Sequence, residues 1–311
     1  MVRANWFSLG ELVALEPVSK EYAIHSRNFV VSVGENRHVQ KYLLKKVTGD
    51  LEEELERSSE IQEYCNQKGA PTPAMIHRSD GKGIVAAFGD CAYTMQEYHD
   101  GAPFTGTTEE IGSVALSLAQ LHLTLRDLPH TVPDASIFGD LTLSEVSSIR
   151  GEIMQSESSP FAYNVNQIID ELPAIYTLFE PITTYRDVPR QAIHLDCHLQ
   201  NVIFSNKHDA IVLDFGNIFY LEKMLAVSFA CHRFAGFAPS PVQTFLKSYH
   251  RIDPLTSEEL YLFPLFVARE AIRRVNKVLR SHFFECNERW DFELTRQFGF
   301  WQDAMEQLRQ L

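Results

Sequence analysis

The stretch that most constrains this chain is residues 191–216, QAIHLDCHLQNVIFSNKHDAIVLDFG. Two short apolar runs, 202–204 and 210–213, are rich in β-branched and aromatic residues, and Asn206, Lys207, His208 and Asp209 between them are types that favour a turn. The pattern predicts a β-hairpin flanked by polar residues: His194, Asp196, His198 and Asn201 before the first strand, Asp214 after the second. A hairpin of this length brings Asn201 and Asp214 to the same end of the ribbon. That convergence implies a site.

The rest of the composition bounds the class of protein. A chain of 311 residues is long enough for two domains or lobes at roughly 150 residues each. Apolar residues make up 45% and charged residues 22%, the balance of a folded chain rather than a disordered one. Lys and Arg number 28 against 41 Asp and Glu, a net charge of −13. This argues against nucleic acid as a partner, which calls for a basic surface, and is compatible with neutral or cationic small substrates. Five cysteines are scattered with no C-x-x-C pair, so neither a zinc ribbon nor a disulfide framework is indicated. The N-terminal segment lacks the apolar run of a signal peptide, and no stretch approaches the ~20 apolar residues of a membrane span. The expectation is a soluble, cytoplasmic protein with no membrane partner.

In chain order, residues 22–33 and 37–47 read as two strands around the turn Gly34, Glu35, Asn36. On the second strand Leu43, Lys45 and Val47 share one face, and Tyr42, Leu44 and Lys46 the other. One lysine therefore points inward, and register selects Lys45; the alternative is a surface charge on an edge strand. An acidic helix starting at Thr48, Gly49, Asp50 follows and ends at Gly69, before Pro71 and Pro73. Glu53, Glu56 and Glu60 on it are candidates to pair with the lysine, with Glu56 preferred. Residues 84–88 and 91–95 read as strands meeting at Gly89 and Asp90, and HDGAPFTG marks a linker. The lobe boundary is expected there, dividing residues 1–97 from 98–311. From Thr107 the pattern is helical, with Glu110 completing a capping box, and His122 at the helix end reads as a structural histidine. Helices are expected over 141–156 and 161–179. A further one starts at the Thr256 and Glu259 capping box and runs through Arg280. Pro264 should kink it or mark its start. Its Arg269, Arg273, Arg274 and Lys277 read as a solvated basic face, or as a site for an anionic group.

Two chemical readings compete for the central cluster. His194, Asp196 and His198 alternate along an extended segment and would suit a zinc hydrolase, which leaves Asn201 and Asp214 without a role. In a phosphotransferase, Asp196 accepts the proton of a substrate hydroxyl, and Asn201 and Asp214 offer hard oxygen ligands to Mg²⁺ bridging nucleotide phosphates. The second reading uses every polar residue of the stretch. The spacing H-x-D-x-x-x-x-N followed by D-F-G is that of a kinase catalytic loop, and an upstream strand lysine followed by an acidic helix supplies the phosphate-anchoring pair in the right order. No A-P-E segment and no G-x-G-x-x-G loop is present, which sets the chain apart from protein kinases.

HLDCHLQN followed by LDFG resembles the HGDxHxxN and IDF motifs of the family of aminoglycoside phosphotransferases, choline kinases and type II homoserine kinases. The likeness extends through KYLLKK, GAPTPAMI, YTMQEYHDG and LSLAQLHLTL, and so covers most of the chain. It implies an α+β, two-lobed protein-kinase-like fold, with an antiparallel sheet plus helix in the first lobe and a mostly helical second lobe. It also implies ATP in the cleft and phosphorylation of a small hydroxylated acceptor. Carried over by motif position, Asp196 is the base, Asn201 and Asp214 are the metal ligands, and Lys45 is the phosphate anchor. His194 and His198 brace the loop, and backbone groups around Gln96, Glu97 and Tyr98 meet the adenine.

Three positions depart from the family's pattern. Leu195 stands where the family has a small residue, and Met224 where it has an acidic one. The glycine-containing phosphate loop is replaced by AIHSRN, residues 23–28. Backbone amides near Ser26 and Asn28 remain able to contact phosphate, although side chains there hinder close approach. These departures predict either a nucleotide held differently or reduced activity, and the rival reading is a nucleotide-binding pseudokinase or regulatory module. The acceptor is open among aminoglycosides, choline or ethanolamine, homoserine and sugar-like molecules. Net acidity and the aromatics Phe234, Phe237, Tyr261, Phe266, Trp290 and Trp301 favour a cation, unless these rings are core. The arginines at 269–274 favour a carboxylate.

Overall fold

In a computed structural model, the β-branched runs of the first hundred residues pair into one antiparallel sheet. The structure describes residues 2–18, 26–35, 38–49, 51–129, 131–134, 143–153, 163–174, 188–205, 208–285 and 298–306. The chain divides into two compact units. The first comprises Met1–Val132, Ala192–Phe219 and Arg233–Pro254, and the second Pro133–Gln191, Tyr220–His232 and Leu255–Leu311.

The first unit opens with a short helix α1 (Val2–Asn5) and the strands β1 (Glu11–Val18), β2 (Ser26–Glu35) and β3 (His38–Thr48). Helix α2 (Glu52–Gln67) follows, then β4 (Ala86–Phe88) and β5 (Cys91–Glu97). The sheet order is β1-β2-β3-β5-β4. Strand β1 carries no strand signal in the sequence because five of its eight residues face solvent and Pro17 interrupts it, features tolerated only at an edge. Gly34 and Glu35, expected in a turn, belong to the strand instead: β2 runs to Glu35, which pairs with His38, and Asn36 lies outside the described residues. One face of the sheet buries Val31, Val33, Tyr42, Leu44 and Met95 with Trp6, whose Nε1 donates to Ile76 O at 3.1 Å. The period-two alternation thus holds on β3, and Lys45 lies on the opposite face from Tyr42 and Leu44.

Helix α2 begins at Glu52, later than the expected Thr48 to Asp50 start, and has no side-chain cap. Glu52, Glu53 and Glu54 in its first turn suit the positive end of the helix dipole. It ends where expected: Gly69 takes φ 82°, a conformation open to glycine, and Ala70 N–H closes on Cys65 O at 2.9 Å. After β5, Gly101 passes so near Ile203 that an added Cβ would lie 2.9 Å from Ile203 Cβ. That close approach ties the linker to the expected hairpin through paired hydrogen bonds between Ala102 and Phe204.

Helix α3 (Thr108–Arg126) carries the expected Thr107 and Glu110 capping box. His122 is buried and hydrogen-bonded to Tyr249 Oη at 2.7 Å, the structural role anticipated for it. Tyr249 ends near the close of α7 (Pro239–His250) and donates to Asp253, which also pairs with Arg126 at 2.7 Å. Between these helices in sequence come β6 (Arg190–His194), β7 (Val202–Phe204), β8 (Ala210–Val212) and β9 (Ile218–Glu222). Strands β7 and β8 form the predicted hairpin, and β6 pairs with β9. A core of Ile61, Cys65, Leu121, Leu125, Ala192, Val212 and Phe215 joins α2, α3 and the hairpin. Among the described residues the cysteines are free.

The second unit is helical: α4 (Leu143–Ile153), α5 (163–174), the larger part of α6 (Lys223–Ala235), α8 (Ser257–Glu285) and α9 (298–306). Parts of the helices expected over 141–156 and 161–179 lie outside the described residues. The capping box of Thr256 and Glu259 is present, and Glu259 also forms a buried ion pair with Lys223 at 3.3 Å. Helix α8 continues through Pro264 rather than starting there. Its supposed solvated basic face is instead tied down in part. Arg273 and Arg274 both bind the buried Glu270, and Arg274 also lies over the rings of Phe229 and Phe300. Of the candidate cage aromatics, Phe234, Phe266 and Trp301 are core and Tyr261 is exposed. Trp290 lies outside the described residues.

Candidate active site

The hairpin places the site. Val202 pairs with Val212 and Phe204 with Ala210, and the Leu213 N–H donates to Asn201 O at 2.8 Å. Asn201 and Asp214 therefore sit side by side at one end of the ribbon, as their spacing predicted. Asp214 adopts φ 63° and ψ 83°, a left-handed conformation that a non-glycine residue takes at a cost and that is typical of functional turns. The turn brings its carboxylate to Lys45, whose Nζ lies 2.9 Å from Asp214 Oδ1.

His194 is fully buried, and both of its ring nitrogens are engaged. Nε2 faces the carbonyls of Asp214 at 3.0 Å and Leu213 at 3.3 Å, so it carries the proton. Nδ1 accepts from the Asp196 N–H at 3.3 Å. Burial holds His194 below its ordinary value of 6.5, against the opposing pull of Asp196 and Asp214, so the ring is neutral. An imidazole with neither nitrogen to offer is not a metal ligand, which removes the zinc reading at this residue. Its ring meets Phe215 edge-on at 5.4 Å, which packs the D-F-G segment onto the loop. His198 repeats the device: its Nδ1 accepts from the Gln200 N–H at 3.1 Å, which directs Nε2 to Asp196 Oδ1 at 3.4 Å.

Asp196 is held by amides. Asn201 Nδ2 donates to the Asp196 main-chain O at 3.0 Å and to Oδ2 at 3.2 Å. Its two hydrogens are thereby engaged, so its carbonyl oxygen is the atom left to ligate a cation. Asn217 Nδ2 donates to the same Oδ2 at 3.1 Å, and Asn217 O accepts from the Leu195 N–H at 3.0 Å. The sequence reading missed Asn217. The available signal was a polar residue directly after D-F-G, at the start of a segment that then turns apolar. Leu195, the outsized residue before Asp196, is simply buried in the core.

The remaining predicted residues separate into those brought to the site and those not. Asn28 is the cross-strand partner of Lys45 and shares its face. Its Oδ1 is shielded from solvent without a hydrogen-bond partner. Ser26 opens β2 opposite Val47, and residues 23–25 of the expected phosphate loop lie outside the described residues. Gln96 pairs across the sheet with Leu43, and its Oε1 accepts from Gln62 Nε2 at 2.9 Å. The Glu97 N–H already donates to Ala74 O at 2.9 Å, and Tyr98 follows the strand end, half-buried.

Glu56 is not brought to Lys45. Glu53, Glu56 and Glu60 all lie on the exposed face of α2, while the helix turns Leu55, Ser59 and Gln62 inward, and the ion pair of Lys45 is with Asp214. Helical periodicity explains the miss, since carboxylates that repeat in an acidic run mark the solvated side of the helix. Met224 is fully buried within α6, a packing residue where the family pattern has a carboxylate.

An antiparallel sheet carrying a lysine, a D-x-x-x-x-N loop and a D-F-G turn that returns to the lysine together define a phosphotransferase of protein-kinase-like architecture. Residues 23–259 match the phosphotransferase enzyme family, and the chain belongs to it. A homoserine kinase from Janthinobacterium sp. (strain Marseille) is 21% identical over 301 residues, spanning 93% of this chain and 84% of that protein. Another, from Paramagnetospirillum magneticum, is 24% identical over 281 residues, with 86% and 81% covered. Among solved structures, an aminoglycoside phosphotransferase from Alicyclobacillus acidocaldarius superposes with a TM-score of 0.70 at 15% identity, covering 98% of this chain and 96% of that one. Spectinomycin phosphotransferase, solved with ADP and spectinomycin, has a TM-score of 0.68 at 13% identity, with 97% and 92% covered. Choline kinase from Streptococcus pneumoniae gives 0.63 at 15% identity, with 98% and 96% covered. The fold is thus α+β and kinase-like, and the chain is a member of a phosphotransferase enzyme family. Among the described residues no helix is long and apolar enough to cross a membrane.

Proposed function

We propose that this enzyme transfers the γ-phosphoryl group of ATP to the hydroxyl of a small acceptor, with Asp196 as the base. The observation that carries the reading is the arrangement around Asp196, a carboxylate aligned by two side-chain amides. Lys45 and Asp214 are paired at 2.9 Å and serve as phosphate anchor and cation ligand. Asn28 beside Lys45 offers a shielded oxygen without a partner, a feature that fits a ligand donor arriving there. Ser26 and Asn28 contact phosphate, and the Gln96, Glu97 and Tyr98 segment receives the purine, in the same proposal. Residues 1–97 form the nucleotide lobe and residues 98–311 the catalytic and acceptor lobe. A cytoplasmic location accords with free cysteines among the described residues.

The donor set suits Mg²⁺. One carboxylate, Asp214, and one amide oxygen, from Asn201, are the few hard ligands this ion takes from protein when phosphates and water complete its shell. Bound there, Mg²⁺ would neutralise charge developing on the phosphates. The chain's own residues orient Asp196 and hold the D-F-G turn against His194.

The curated relatives support homoserine as the first acceptor to try, ahead of aminoglycosides, choline, ethanolamine and sugars. A coupled ATP-consumption screen over these acceptors, with and without Mg²⁺, tests the reading. Asp196→Asn should lower turnover by at least roughly a thousandfold while nucleotide binding persists. Full turnover in this variant would sink the assignment. A pseudokinase that binds nucleotide without transfer is the second reading, favoured by the glycine-free segment 23–28 and by Met224. Binding with no turnover across the whole panel would select it.

A further inference from the structure

The contact between Asn217 and Asp196 falls outside every motif by which the site was found. Asn217 follows the D-F-G turn, is exposed, and lies 21 residues from Asp196 in sequence. Packing does not explain an exposed asparagine that turns its amide toward the base. The left-handed Asp214 and the 3₁₀ turn over Phe215–Asn217 swing the chain back, and the hydrogen bond from Leu195 N–H to Asn217 O fixes the backbone there for any side chain. The amide then donates to Oδ2 at 3.1 Å, the oxygen that Asn201 Nδ2 also reaches at 3.2 Å.

We propose that Asn217 is a positioning residue for Asp196, holding Oδ2 together with Asn201 while His198 Nε2 stands 3.4 Å from Oδ1, so that the carboxylate keeps one orientation toward the acceptor. The inference rests on the reading of Asp196 as base. In that step the O–H bond of the acceptor breaks and its proton passes to the Asp196 carboxylate. The acceptor oxygen bonds the γ-phosphorus, and the bond from that phosphorus to the bridging oxygen breaks, its electron pair leaving with ADP. Two N–H donors on one oxygen favour the ionised carboxylate and fix its rotation, so the second oxygen is presented in a constant direction. Because Asn217 belongs to the same turn as Asp214, the base is oriented by the segment that carries the proposed cation ligand.

The test needs no acceptor in its first arm. Wild-type protein, Asn217→Ala and Asn217→Asp are labelled with ¹³C-carboxylate aspartate and titrated by NMR, with the Asp196 signal assigned by its loss in Asp196→Asn. The expected result is an Asp196 midpoint at higher pH in Asn217→Ala, and higher again in Asn217→Asp, where a donor becomes a second carboxylate. With the acceptor from the screen, kcat in Asn217→Ala falls by roughly tenfold and its acid limb moves to higher pH, while the Kd for nucleotide is unchanged. An unchanged Asp196 titration in both variants overturns the proposal. So does a loss of kcat accompanied by equal losses in melting temperature and nucleotide affinity with the acid limb unmoved, the mark of a purely structural residue. Should Asp196→Asn retain turnover, the base reading fails, while the titration still decides whether Asn217 governs the carboxylate.

Discussion

Lys45 Nζ and Asp214 Oδ1 lie 2.9 Å apart although 169 residues separate them in the chain. One residue projects from a central strand of the sheet, the other from a strained turn after the hairpin, and their pairing joins the two halves of the site. Both are partly exposed, at 27% and 39%, so the pair adds little to stability and its importance is to be sought in ligand binding.

Lys45→Met should therefore leave the fold intact and lower kcat/KM for nucleotide on the order of a hundredfold, since it removes a preorganised cation from the phosphates. Glu56→Gln, on the exposed face of α2, should change kcat/KM by less than about twofold. Steady-state kinetics with varied nucleotide measures both. A large effect at Glu56 would show that α2 rotates to make the pair absent in this structure.

Gln62 anchors α2 from its buried side. Its Nε2 donates both to Pro73 O at 3.0 Å and to Gln96 Oε1 at 2.9 Å. A leucine there would fill similar space but leave two acceptors unsatisfied, at a cost of about 1–3 kcal/mol. Denaturant unfolding of Gln62→Leu should show that loss, and an unchanged midpoint would mean that the acceptors find other donors.

The buried His194 makes stability depend on pH. Its folded value lies below the ordinary 6.5, so the unfolded chain binds the proton more readily and stability rises with pH. The contribution is complete above pH ~6.5 and is lost as pH falls through the folded value. Melting temperature should decline on acidification across this window, less steeply in His194→Asn. Equal slopes for the two proteins would show that other groups dominate.

How much was legible depends on the range of the interaction. The hairpin, the capping box of Thr107 and Glu110 and the inward face of Lys45 were read from sequence because each is set by neighbours within a few residues. Strand β1 was not, since an edge strand with one half-exposed face carries only a weak pattern and is recruited by β2. Glu56 was misjudged because nearness in chain order to Lys45 does not say which side of a helix meets the sheet. The solvated basic face on α8 failed for a related reason: Glu270, a buried carboxylate four residues before Arg274, claims two of its arginines.

By itself the sequence determined the motif H-x-D-x-x-x-x-N with D-F-G, and hence the ends of a hairpin, because a two-stranded ribbon turns spacing directly into position. Only the tertiary structure decided that Lys45 answers to Asp214 rather than to a glutamate of α2, and that Asn217 reaches back to Asp196. Those contacts depend on a left-handed turn at Asp214 and on the packing of α2 against the sheet, and such orientations arise from contacts between distant segments that no local pattern encodes.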